Sequence, residues 1–74
     1  MQRKINYSVK IMDENVHIIK EYSFKELSVD EMLEKMKLKP EKIGMIIVDN
    51  TIVDLDYTIK NNDVILIYEF LAGG

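Results

Sequence analysis

The stretch SVDEMLEKMKLKP, residues 28–40, is where the periodicity of the chain changes. Val29, Met32, Leu33 and Met36 fall one, four, five and eight positions after Ser28, a spacing that puts apolar side chains on one stripe of a helix. Ser28 followed three residues later by Glu31 is a capping box, in which each side chain satisfies a backbone N–H of the other. Asp30 and Glu31 open the first turn and Lys35 and Lys37 close the last, both matching the helix dipole. Pro40 sets the far limit, because the residue before a proline is pushed out of the α region. The stretch predicts one helix of two to three turns, apolar on one side.

On either side of it the period is two. Ile5, Tyr7, Val9 and Ile11 alternate with Asn6, Ser8 and Lys10, the pattern of a strand with one apolar face. The turn material DEN at 13–15 joins it to VHIIKEYSF, where Val16, Ile18, Tyr22 and Phe24 resume the alternation and Lys20 interrupts it; the two strands predict a hairpin. After the helix, IGMIIVD at 43–49 is a strand, and NTIV is a tight connection into a short extended piece at Ile52 and Val53. Residues 54–63 read as irregular, with Leu55 and Ile59 holding them to the core. VILIYEF, 64–70, is apolar almost throughout, so it lies centrally in a sheet or has a face that meets something else. A single helix covers one face of the sheet and leaves the other bare. This is an α+β chain: one domain over 1–70, with 71–74 as a flexible tail.

At 74 residues the chain is near the lower limit for a self-sufficient core, so most Ile, Val, Leu, Met and Phe side chains are expected inside, leaving little room for a cofactor cavity. Cysteine is absent, which excludes disulfides, thiolate metal sites and a side-chain thiol carrier. MQRKINYSVK is followed by no apolar signal region and no run is long enough to span a membrane; the chain reads as soluble and cytoplasmic, with no membrane partner. Residues 1–37 hold seven Lys/Arg against seven Asp/Glu, residues 38–74 three against six. The acidic second half argues against nucleic acid as a direct partner and for a basic protein surface.

The usual catalytic constellations are missing. His17, the only histidine, stands beside no nucleophile and is expected on the outward face of the hairpin. Asp49, Asp54, Asp56 and Asp63 follow no calcium-loop pattern, Gly44 is isolated in a strand, and basic residues are scattered with no aromatic interleaving. No acid, base and nucleophile come together, so the chain does not read as an enzyme, and neither a metal-binding nor a cofactor-binding residue is assigned. What remains is the ending, YEFLAGG. Two residues without Cβ let a chain thread a narrow channel and leave the terminal carboxylate of Gly74 free of steric cover. Once activated as an acyl phosphate or adenylate by a partner, that carboxylate becomes the acyl group of the reaction.

Residues 45–74 carry a resemblance. VDNTIV (Val48, Asn50, Val53), Leu55 through Ile59, KNNDVILIY at 60–68 and the terminal Ala72-Gly73-Gly74 resemble the ubiquitin-like β-grasp sulfur carriers. That group contains the small subunit of molybdopterin synthase and the sulfur carrier of thiamine thiazole synthesis. The order of elements fits over the whole chain. Asn61-Asn62-Asp63 stands where the family commonly has Asp-Gly-Asp, and asparagine tolerates the left-handed region that such a turn uses. The resemblance implies a β-grasp fold, a four- to five-stranded mixed sheet with one helix on one face. It implies that Gly74 is adenylated by an ATP- and magnesium-dependent enzyme of the ubiquitin-activating type and converted to a thiocarboxylate that donates sulfur, with Gly73 keeping the tail slim. The implied partners are that adenylating enzyme, a sulfur donor such as a cysteine desulfurase or rhodanese-like protein, and an acceptor synthase. Docking is implied on the open sheet face and near the last strand, at Ile65, Ile67, Phe70, Leu71 and Ala72. Thiamine, molybdopterin and tRNA thiolation pathways are all admissible, and the ending is equally compatible with a modifier conjugated to lysines. A non-covalent β-grasp binding module is the third reading.

Overall fold

The computed structural model describes residues 3–12 and 15–70. Five strands, β1 (Ile5–Met12), β2 (Val16–Ser23), β3 (Ile43–Val48), β4 (Thr51–Ile52) and β5 (Asp63–Glu69), form one sheet in the order β2-β1-β5-β3-β4. β1 and β5 run parallel and every other neighbouring pair antiparallel. The helix α1 (Val29–Lys35) lies on one face. This is the β-grasp arrangement, with the last strand in the middle of the sheet.

Val29, Met32 and Leu33 of α1 are fully buried with Val9, Ile46, Val48, Ile65 and Ile67 of the sheet, and Met36 packs at the edge of the same cluster. The capping box is complete: the Ser28 hydroxyl accepts from the Glu31 N–H, and the Glu31 carboxylate accepts from the Ser28 N–H at 3.0 Å. That backbone hydrogen bond is the main reason the Glu31 carboxyl is held below its ordinary value. A group whose folded value is lowered stabilises the fold above its unfolded value and loses that contribution as pH falls through the folded one. The stability difference between wild type and Glu31→Gln should therefore be complete at neutral pH and fade below the ordinary glutamate value, in denaturation curves across pH. Ser28→Ala should lose about 1 kcal/mol at neutral pH, the usual worth of an N-cap.

The helix ends earlier, and for a different reason, than Pro40 suggests. Lys37 takes φ 61, its N–H donates to the Glu34 carbonyl at 3.0 Å, and the Leu38 N–H donates to the Leu33 carbonyl at 2.8 Å. These are the two bonds of a Schellman stop, built on a lysine where glycine is the usual signal. Pro40 instead begins a single 3₁₀ turn, Pro40–Lys42, leading into β3.

The other turns follow their residues. Asp49 and Asn50 both have positive φ and join β3 to β4 in a two-residue hairpin. Asn62, at φ 71, makes the left-handed turn into β5. Residues 54–62 are irregular, as expected, but Leu55 does not hold them down; its side chain is exposed. The anchors are Ile59, buried, and the backbone, since Asp30 and Val29 donate to the carbonyls of Leu55 and Tyr57 and Ile59 donates to that of Leu27.

The hairpin's second strand corrects another expectation. Tyr7, Val9 and Ile11 face the helix, and register sets Glu21, Ile19 and His17 on that same face. Val16, Ile18 and Tyr22 consequently lie on the uncovered face, all exposed, and Phe24 beyond them is exposed too. Tyr7 is buried, and its hydroxyl has no hydrogen-bond partner among the described residues. Burial first, and the nearby Glu21 second, push its ionisation upward. Since a buried unsatisfied hydroxyl is destabilising, Tyr7→Phe should raise stability by about 1 kcal/mol; a loss in urea denaturation would mean that a buried water satisfies the group.

Candidate functional site

The chemistry foreseen at Gly73 and Gly74, and the contacts foreseen at Leu71 and Ala72, lie outside the described residues. What the fold shows is how the chain is delivered to that point. β5 is flanked by β1 and β3; it pairs with β1 as far as Ile67, and with β3 on to Glu69. Beyond its end the Phe70 N–H still donates to the Lys42 carbonyl at 2.7 Å, while the Phe70 side chain is 64 % exposed.

Gly44 makes this close approach possible. The β3–β5 register slips between Ile43 and Met45, and a Cβ on Gly44 would sit 3.3 Å from the Tyr68 carbonyl oxygen and 3.6 Å from the Phe70 Cα. A glycine in a strand commonly marks such a bulge. The sequence showed only an isolated glycine; its role depends on a partner more than twenty positions away. Next to it, Pro40, Ile43, Gly44, Met45, Ile52 and Leu55 line an open, mostly apolar groove.

Ile65 and Ile67, expected at the docking surface, are not on the open face of the sheet. Both are fully buried against the helix layer, because their register partners Val9, Ile11, Ile46 and Val48 all face the core. The alternate set of the last strand, Val64, Leu66 and Tyr68, occupies the uncovered face. Register places Ile47 beside Leu66 and Ile52 beside Ile47. Val64 is 44 % and Ile52 67 % exposed. Val64, Leu66, Ile47 and Ile52 form an apolar band on this face, and Phe70, exposed as well, stands just past the end of β5.

Around this band the side chains are structural. The Asp63 carboxylate accepts from the Tyr57 hydroxyl at 2.9 Å and the Lys60 N–H at 2.8 Å. Desolvation first, then the bond to Asp63, raise the ionisation of Tyr57. Asp63 thus staples the turn before β5. Among the described residues no three of His, Asp and Glu come together as metal ligands, and no helix is long and apolar enough to cross a membrane. At the far end of the sheet, tertiary structure builds one grouping that linear spacing hid. Tyr22 meets Phe24 edge-on at 5.4 Å between centroids, with the ammonium groups of Lys4 and Lys35 at 4.9 and 5.9 Å from the Tyr22 ring.

The sequence model of the ThiS family matches residues 9–74. No curated protein matches the chain.

Proposed function

Because this chain belongs to the ThiS family, and is therefore a sulfur carrier and not a catalyst, we propose that its reagent is the carboxylate of Gly74. The family match, which continues through Gly74, carries this reading. A carboxylate is a poor electrophile. Attack of its oxygen on the α-phosphorus of ATP, with pyrophosphate leaving, gives an acyl adenylate; hydrosulfide then displaces AMP and releases a proton, leaving a thiocarboxylate. ATP and magnesium belong to the adenylating partner, which supplies the positive charge that stabilises the phosphates. Gly73 and Gly74 pass into that partner's site because neither has a side chain to obstruct it.

The uncovered face is the docking surface of this proposal. Val64, Leu66, Ile47 and Ile52 supply the apolar centre and Phe70 the anchor beside the tail, the roles first assigned to Ile65 and Ile67. Acidic residues on the same half of the chain, Asp49, Asp54 and Asp56 among them, favour a partner with a basic rim. Where a persulfide-forming donor protein supplies the sulfur in place of hydrosulfide, its terminal sulfur displaces AMP to give an acyl disulfide. A second thiol then reduces that bond, leaving the donor side as a disulfide and the carrier as its thiocarboxylate. An acceptor enzyme of thiazole, molybdopterin or thiolated-tRNA synthesis consumes the thiocarboxylate.

The test is to incubate the protein with ATP, magnesium, a matched activating enzyme and sulfide, and to weigh the C-terminal peptide. Exchange of one oxygen for sulfur at the terminal carboxyl is the expected result. No exchange with a partner that charges its own carrier would reject the proposal. Gly-Gly remnants on cellular lysines, without any thiocarboxylate, would replace it with protein conjugation. Supplying each class of acceptor enzyme with the charged protein identifies the pathway.

A further inference from the structure

The two edges of the sheet are unlike. β4 has two residues, whereas β2 has eight, paired with β1 in unbroken register and containing no proline. A long straight edge with neither proline nor bulge is a template for another strand, and Lys20 is the one lysine on it, so a pairing has to keep that charge away from its like. The direction of the free groups follows from β1. The Asn6 N–H donates to Asn61 Oδ1 at 2.9 Å and its carbonyl accepts from the Asn62 N–H at 2.6 Å, so the Asn6 backbone faces β5. Alternation turns the backbone of Tyr7, Val9 and Ile11 toward β2, and that of their partners Glu21, Ile19 and His17 toward β1. Val16, Ile18, Lys20 and Tyr22 therefore aim N–H and C=O away from the sheet. The Lys35 ammonium, reaching round the edge to the Tyr22 carbonyl at 2.9 Å, agrees with this direction.

We propose that β2 is the interface of a symmetric dimer, pairing antiparallel with β2 of a second copy about a two-fold axis at Ile19. Charge selects the register. Centring on Lys20 would oppose two lysines and centring on Glu21 two glutamates, both unfavourable across a strand pair. Centring on Ile18 would pair only residues 16–20. Centring on Ile19 pairs 16 to 22. Val16 then meets Tyr22 and Ile18 meets Lys20, each pair joined through outward-facing backbone groups. Glu21 meets His17, and Ile19 meets its own copy. Val16 meeting Tyr22 is a β-branched–aromatic pair, a favourable kind. The Tyr22 carbonyl has two lone pairs, so it accepts from Val16 of the second copy while keeping Lys35. The two five-stranded sheets become one, the uncovered faces lie on the same side, and the two β5 strands point in opposite directions. Neither Phe70 nor the docking band is occluded, so the dimer is independent of sulfur chemistry.

Sedimentation velocity over a dilution series should show the mass doubling with concentration. Ile18→Lys, which sets lysine against Lys20 twice per dimer, should weaken association about tenfold or more with an unchanged circular dichroism spectrum. The absence of cysteine allows a second measurement. At a non-hydrogen-bonded pair Cα atoms lie about 4.5 Å apart, within disulfide range, so Ile19→Cys should oxidise to a reducible dimer. Lys20→Cys, diagonal to its own copy at about 7–8 Å, should not. A chain that stays monomeric at every concentration and does not cross-link through Ile19→Cys overturns the proposal. So does a dimer that survives Ile18→Lys and is broken by Leu66→Lys, since that association would use the uncovered face.

Discussion

A chain ending at Ala72 should fold like the full chain and accept no sulfur. The buried core runs from Tyr7 to Ile67, so deleting Gly73 and Gly74 removes none of its members. A 1 kcal/mol change moves Tm by roughly 4–8 °C in a domain of this size, and the shortened chain should stay within about 2 °C of the parent. Charging should fall to background, because the carboxylate now sits on a residue with a methyl group and two positions short of where the partner holds it. Gly74→Ala separates these causes: length is kept and only the methyl is added beside the reacting carbonyl. It should lower the rate of adenylation by about a hundredfold, equivalent to ~2.7 kcal/mol in the transition state, with Tm again unchanged. Pyrophosphate release reports the first step and terminal-peptide mass the second. Undiminished charging of both variants would show that the two glycines are dispensable and would move the reacting group elsewhere. Undiminished biological activity of an uncharged Ala72-terminated chain would favour the non-covalent module.

The particular residues show how much of this was legible in advance. Ser28 and Glu31 lie three positions apart and speak to each other directly, so the helix start could be read and is found as read. Asn62 was likewise readable, because one residue type at one turn carries the information. The helix stop was not, since Lys37 adopts a conformation that its residue type does not announce. Alternation along β2 and β5 revealed two faces per strand without saying which faces the helix. In β2 the more apolar set turned out to be the exposed one, and in β5, apolar on both faces, the sign was undetermined. Only pairing fixes it: Val9 between Ile19 and Ile65 decides both strands at once. The grouping of Lys4, Tyr22 and Lys35 and the contact of Gly44 with Phe70 were invisible for a related reason, being made by residues far apart in sequence.

Adjacent substitutions on β5 should separate stability from docking. Ile67→Ala removes a fully buried side chain at the centre of the sheet, between Ile11 and Ile46. The helix and both neighbouring strands would have to shift together to fill the space, so the cavity should persist and the loss should be about 2–5 kcal/mol. A 74-residue chain has only about 4–11 kcal/mol in total at ordinary per-residue stabilities. The midpoint in urea should therefore drop steeply at constant m-value, and any loss of charging should follow the unfolded fraction. Leu66→Ala, one residue away and pointing to the uncovered face, loses only partial burial and should lose about 1 kcal/mol or less. Its defect should appear as a raised KM for the activating enzyme with the protein still folded. The opposite pattern, a stable Ile67→Ala protein that fails to be activated and a Leu66→Ala protein that unfolds, would mean that β5 presents the other face to the partner. The helix would then have to lie where the docking band is now placed.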